Sequence, residues 1–131
     1  YPPPLRNRPT TLTKLTNCYA QWRQVQNNMP KKSRFTLGTK IDDLFVEVIE
    51  LIYIASYLPK EQKRPFLEKA IRRTDLIKFF LQLGWEVKDI ENKKYTSLSP
   101  LIFEIGQSLG AWLKNNKSLE KTPAAKVAAK E

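Results

Sequence analysis

The chain has 131 residues, 23 of them Lys or Arg against 13 Asp or Glu, giving a formal net charge of +10 and a pI near 9.8. That length suits one domain, and a surplus of this size favours a polyanionic partner, because it raises both affinity and encounter rate for nucleic acid. The sole cysteine, Cys18, permits no internal disulfide. The lack of histidine removes the commonest general base and leaves no zinc-ligand set.

No stretch approaches the ~18 apolar residues of a membrane span. The opening Tyr1-Pro2-Pro3-Pro4 has neither the apolar core nor the cleavage site of a signal peptide. A cytoplasmic, non-membrane protein is therefore expected.

Residues 1–10 carry Pro2, Pro3, Pro4 and Pro9 with Arg6 and Arg8, and read as an extended basic arm. A first helix is expected over about Thr11 to Asn28, where Leu12, Leu15, Tyr19, Trp22 and Val25 recur every three or four residues. Thr10 or Thr11 is its candidate N-cap, and Pro30 follows its end. The basic run Lys31, Lys32, Arg34 then falls in a first interhelical loop.

A second helix is expected over about Thr36 to Leu58, with Ile41, Leu44, Phe45, Val48, Leu51, Ile52 and Ala55 on one face and Pro59 after it. A third runs from Lys60 to Gly84 or slightly beyond, its apolar side formed by Phe66, Leu67, Ala70, Ile71, Leu76, Ile77, Phe80 and Leu83. Pro65 suits a first turn and so moves the firm start towards Arg64. A polar connection, Asp89 to Lys94, leads to a fourth helix over about Tyr95 to Asn115, striped by Leu98, Leu101, Ile102, Ile105, Leu109, Trp112 and Leu113. Pro100 fits that helix if it begins at Ser99.

Gly106 and Gly110 share a face and allow close approach of a neighbouring helix. A flexible Lys/Ala-rich tail is expected over residues 118–131. The whole reads as all-α, an up-and-down antiparallel four-helix bundle over residues 11–117.

The charge is unevenly placed. Residues 1–41 hold Arg6, Arg8, Lys14, Arg23, Lys31, Lys32, Arg34 and Lys40 with no acid, residues 42–113 are close to neutral, and residues 114–131 carry further lysines, among them Lys114 and Lys117. Those cations are the candidate nucleic-acid contacts, and they suit phosphate and shape more than base edges, since no base-reading motif is present. Lys69, Arg72, Arg73 and Lys78 form a second basic patch on the third helix, which an ordinary solvated face explains equally well.

No catalytic constellation, cofactor motif or small-molecule site emerges, so the chain is read as a binder and not an enzyme. Cys18 reads as a buried structural thiol.

The stretch Pro30-Lys-Lys-Ser-Arg-Phe-Thr-Leu-Gly-Thr-Lys-Ile41 resembles the PK-x-x-RFTLG-x-[RK]-I segment of the Avd proteins, the accessory variability determinants of diversity-generating retroelements. Glu104-Ile-Gly-Gln-Ser-Leu-Gly-Ala-Trp-Leu-Lys114 is similar to a second family segment, EIG-R-M-LGGW-x-K. Gln107 stands where that segment usually has Arg, Ser108 where it has Met, and Ala111 where it has the second glycine of a pair. The resemblance covers residues 12–115. It implies a homopentameric barrel of four-helix bundles that binds a reverse transcriptase and its template RNA and supports mutagenic cDNA synthesis. It also extends to stand-alone bundles encoded in ribosomal intervening sequences, whose role is structural or unknown. Within an assembling bundle, Gly106, Gly110, Trp112 and Trp22 are the candidate packing and assembly positions.

Overall fold

A computed structural model describes residues 9–128 of the chain, with side chains as far as Asn116. Helix α1 spans Thr10–Asn27. Helix α2 opens at Lys31–Ser33, widens into a π-helical stretch over Arg34–Gly38 and continues as Thr39–Tyr57. Helix α3 spans Lys60–Glu86 and α4 spans Asn92–Ala128.

The connections at 28–30, 58–59 and 87–91 are so short that consecutive helices must pack antiparallel. Helix α4 packs on α3 and also on α1, which closes the ring of four. Among the described residues there is no strand. The expected all-α four-helix bundle is what one chain forms.

The core follows the apolar stripes. Leu12, Leu15, Cys18, Trp22 and Val25 of α1 face Ile41, Phe45, Val48 and Ile52 of α2, Leu67, Ala70, Ile77 and Leu81 of α3, and Leu98, Ile102, Ile105 and Leu109 of α4, all of them buried. Trp22 stacks on Phe45 with ring centroids 6.0 Å apart and an 18° interplanar angle. Its indole N–H donates to Asp42 Oδ1 at 3.2 Å, so the largest core side chain leaves no orphaned donor. Buried Thr74 donates its hydroxyl to the Ala70 carbonyl at 2.8 Å.

Several local expectations are corrected. Lys31, Lys32 and Arg34 do not lie in a loop: α2 begins directly after Pro30, whose carbonyl accepts from the Arg34 amide at 2.8 Å. The apolar period of Ile41 to Ala55 does not extend back through Arg34–Gly38, because a π turn holds more residues than an α turn and shifts the register. Thr10 does not cap α1: it is the first helical residue, Pro9 takes the cap position, and no side chain caps it.

Pro65 lies inside α3 and not in its first turn, at an exposed position. Helix α4 starts at Asn92, well before Ser99, so Pro100 is interior too. Trp85 explains that early start: its indole N–H donates to Asn92 Oδ1 at 2.9 Å and its ring stacks on Tyr95 at 4.9 Å and 12°. Trp22 packs wholly within one chain and presents nothing to a second copy.

The two glycines of α4 also differ. A Cβ on Gly106 would lie 2.7 Å from Lys78 Nζ, whereas Gly110 has nothing within 4 Å of that position. Only Gly106 is therefore filled by a neighbour within the chain.

Candidate nucleic-acid interface

The C-terminus of α1, the start of α2 and the α3–α4 connection lie at the same end of the bundle. Met29 and Ile90, both buried, plug that end from the two connections. Leu37 reaches over to α3, where a Cβ on Gly84 would sit 3.2 Å from Leu37 Cδ2.

Lys31 and Lys32 are exposed here, in the first turn of α2, and have no ion pair among the described residues. A helix N-terminus already carries partial positive charge, so cations there raise the local potential at some cost to stability. Arg34 plays another part: it is partly buried, its Nη2 donates to the Met29 carbonyl at 3.2 Å, and its Nε is buried without a partner. It ties α2 to the preceding connection.

Arg23 is exposed on α1, donating to Tyr19 Oη at 3.2 Å with its guanidinium 5.8 Å from the Tyr19 ring centroid. Burial, helped by Asp42, holds the Tyr19 phenol above its ordinary value, and the bond to Tyr19 raises Arg23 in turn. Lys40 is exposed on α2 and has no ion pair among the described residues.

The patch on α3 is largely compensated from within. Arg73 Nε stands 3.0 Å from Glu47 Oε2, a coulombic contact out of line for a hydrogen bond, and Lys69 Nζ is 4.0 Å from the same oxygen. Lys78 Nζ is 3.7 Å from Asp75 and 5.0 Å from the Phe103 ring centroid. Arg72 alone in this patch is exposed and has no ion pair among the described residues.

Lys14 pairs with Glu104 of α4 at 2.7 Å, a half-exposed contact of the kind that contributes little to stability and yields readily to a competing anion. Lys114 is exposed towards the opposite end, where the Asn116 amide donates to the Lys60 carbonyl at 2.8 Å. Arg6 and Arg8 lie outside the described residues, as does the side chain of Lys117, whose backbone continues α4.

Lys88, Lys93 and Lys94, which stand out in no sequence pattern, lie at the same end of the bundle as Lys31 and Lys32. A groove of about 380 Å³ there runs between α1 and α4, lined by Gln21, Gln24, Lys93, Lys94 and Ser97 among others. Their signal in the sequence was only a polar connection, because three acids, Glu86, Asp89 and Glu91, are interleaved with them.

Cys18 is buried, and burial pushes its thiol up to about 12, which keeps it protonated and inert. No described helix is long and apolar enough to cross a membrane.

Among known protein families, the chain matches the bAvd-like family over residues 11–116. It belongs to that family. The match takes in all of the bundle from the start of α1 and contains both the Pro30–Ile41 and the Glu104–Lys114 segments. No curated protein and no solved structure matches the chain. In this bAvd-like bundle the Arg34–Gly38 segment is the π-helical stretch itself, a local geometry found disproportionately at functional sites. It presents Phe35 to solvent at 66% exposure.

Proposed function

We propose that the chain is a non-catalytic accessory subunit of a diversity-generating retroelement, binding the reverse transcriptase and its template RNA in the cytoplasm and supporting mutagenic cDNA synthesis as a homopentamer. Membership of the bAvd-like family over residues 11–116 carries this reading. The chemistry belongs to the polymerase, and this chain contributes binding.

Two physical features support the reading. Lys31 and Lys32 reinforce the positive end of α2 and suit phosphate contacts that set position without reading sequence. Phe103 and Gly110 lie seven residues apart on one side of α4, with Phe103 55% exposed and open space at Gly110, as a helix face that meets a second protein requires.

The test is Lys31→Glu/Lys32→Glu, with RNA affinity measured across salt concentrations. Arg34 stays intact because its partly buried guanidinium holds the local fold. Affinity is expected to fall, with the slope of log affinity against log salt shrinking by about one for each phosphate that is no longer neutralised. Unchanged affinity and slope would remove Lys31 and Lys32 from the interface. Light scattering tests the assembly: a mass of about five 15.3 kDa chains is expected, and a clean monomer would contradict it.

A further inference from the structure

Trp85 is a large aromatic side chain, 37% exposed, at the end of α3. One of its faces is covered by Tyr95, and its N–H is held by Asn92, so the indole is fixed in orientation before any ligand arrives. Trp85 lines an open groove of about 670 Å³ together with Glu86, Lys88, Ile90, Glu91 and Asn92. Glu91 lines both this groove and the polar groove between α1 and α4, so the two adjoin. The second supplies two ammonium groups, Lys93 and Lys94, with the side-chain amides of Gln21 and Gln24.

Lys88 sharpens the case. It has φ 67°, the only positive φ of a non-glycine residue among those described. After a helix end, that backbone conformation is cheapest for glycine. A lysine at the lip of the groove keeps its side chain at a cost in backbone strain.

We propose that Trp85 is a stacking platform for one unpaired base of a single-stranded nucleic acid, whose flanking phosphates are received by Lys88, Lys93 and Lys94. The proposal rests on the nucleic-acid part of the function proposed above and locates a contact within it. Single-stranded nucleic acid is the occupant the observations favour. A fixed indole with an adjoining lysine-lined groove is how sequence-tolerant single-strand binders hold a base and its backbone. Glu86, Asp89 and Glu91 balance the three lysines, so phosphate attraction alone does not make this a site. The base must contribute, and a duplex, whose bases are paired and stacked already, does not fit.

The experiment uses the full chain and a labelled single-stranded RNA of about twelve nucleotides, within the site size of small single-strand binders. Trp85→Ala should weaken binding roughly 5- to 150-fold, the range that corresponds to losing one stacked base, with the salt slope unchanged because no charge is removed. Trp85→Phe preserves an aromatic face and guards against a folding defect. It should bind within a few-fold of wild type, while the RNA-induced quenching of tryptophan emission falls to what Trp22 and Trp112 contribute. Lys93→Ala/Lys94→Ala should lower the salt slope.

Wild-type affinity in Trp85→Ala, quenching as large in Trp85→Phe as in wild type, or equal competition by duplex RNA would each overturn the platform. Failure of the wild-type chain itself to bind RNA at low salt would instead defeat the broader nucleic-acid reading.

Discussion

Replacing glycine by alanine at two positions of this bundle should change stability in opposite directions. Gly38 lies in the π-helical stretch of α2 with φ −59°, where alanine is unstrained. A Cβ there would meet Gln26 Cγ and Met29 Sδ at 3.5 Å, ordinary van der Waals contact. Alanine in a helix interior is favoured over glycine by about 0.8–1 kcal/mol, so Gly38→Ala should raise stability by about that amount, or ~2–5 °C in Tm for a chain of this size.

Gly84 has the same helical advantage to gain, but its Cβ would stand 2.7 Å from Ile90 Cδ1, 3.1 Å from Ile90 Cγ1 and 3.2 Å from Leu37 Cδ2. Ile90 is only 2% exposed and is fixed by a connection whose Asp89 and Ile90 amides both donate to the Gly84 carbonyl, at 2.8 and 3.0 Å. It has little room to retreat. Overpacking costs about 1–3 kcal/mol, which offsets or outweighs the helical gain of about 0.8–1 kcal/mol and leaves Gly84→Ala up to about 2 kcal/mol less stable. Urea and thermal unfolding followed by circular dichroism measure both. A Gly84→Ala variant as stable as Gly38→Ala, or a destabilised Gly38→Ala, would refute the packing described at this end of the bundle.

Three further outcomes are expected. The Cys18 thiol is raised from 9.0 to about 12 in the folded chain, so its contribution is fully present below pH 9 and is lost as pH rises towards 12, at about 1.4 kcal/mol per pH unit. Urea midpoints between pH 8 and pH 11 should therefore fall more steeply for wild type than for Cys18→Ala, and parallel curves would contradict a buried thiol. Asp42→Ala should cost about 1–3 kcal/mol by leaving the buried Trp22 N–H unpaired, while Asp42→Asn, which keeps an acceptor, should cost less. Lys31→Glu/Lys32→Glu, measured for stability without RNA, should gain about 0.3–1 kcal/mol per residue, because acidic side chains suit the first turn of α2; a loss would show that these lysines support the fold.

The fold was legible because burial in a bundle repeats every three to four residues. Every apolar residue named for the second helix, Ile41 to Ala55, is buried; in the α1 stripe only Tyr19 is partly buried, and in the α4 stripe Leu101, Trp112 and Leu113 are. What escaped is local and non-periodic. The π stretch at Arg34–Gly38 breaks the period that would have revealed the start of α2, so Lys31 and Lys32 read as loop. The start of α4 depends on Trp85 reaching Asn92 and Tyr95, contacts across a turn that no helical pattern encodes.

The candidate site was half legible. Charge in the first 41 residues pointed to Lys31 and Lys32, but which cations are already paired depends on partners distant in sequence, as Lys14 with Glu104 and Arg73 with Glu47 show. Lys88, Lys93 and Lys94 were hidden among acids, and only the fold sets them beside Trp85 and α1.

The most direct measurement of the proposed role is reconstitution with the reverse transcriptase and template RNA of the same retroelement. Complex formation is read by size-exclusion chromatography, and template-derived cDNA is read with and without the chain. A complex containing the chain, and cDNA made only when it is present, is the expected result. A reverse transcriptase that makes the same cDNA alone and does not bind the chain would contradict the accessory role.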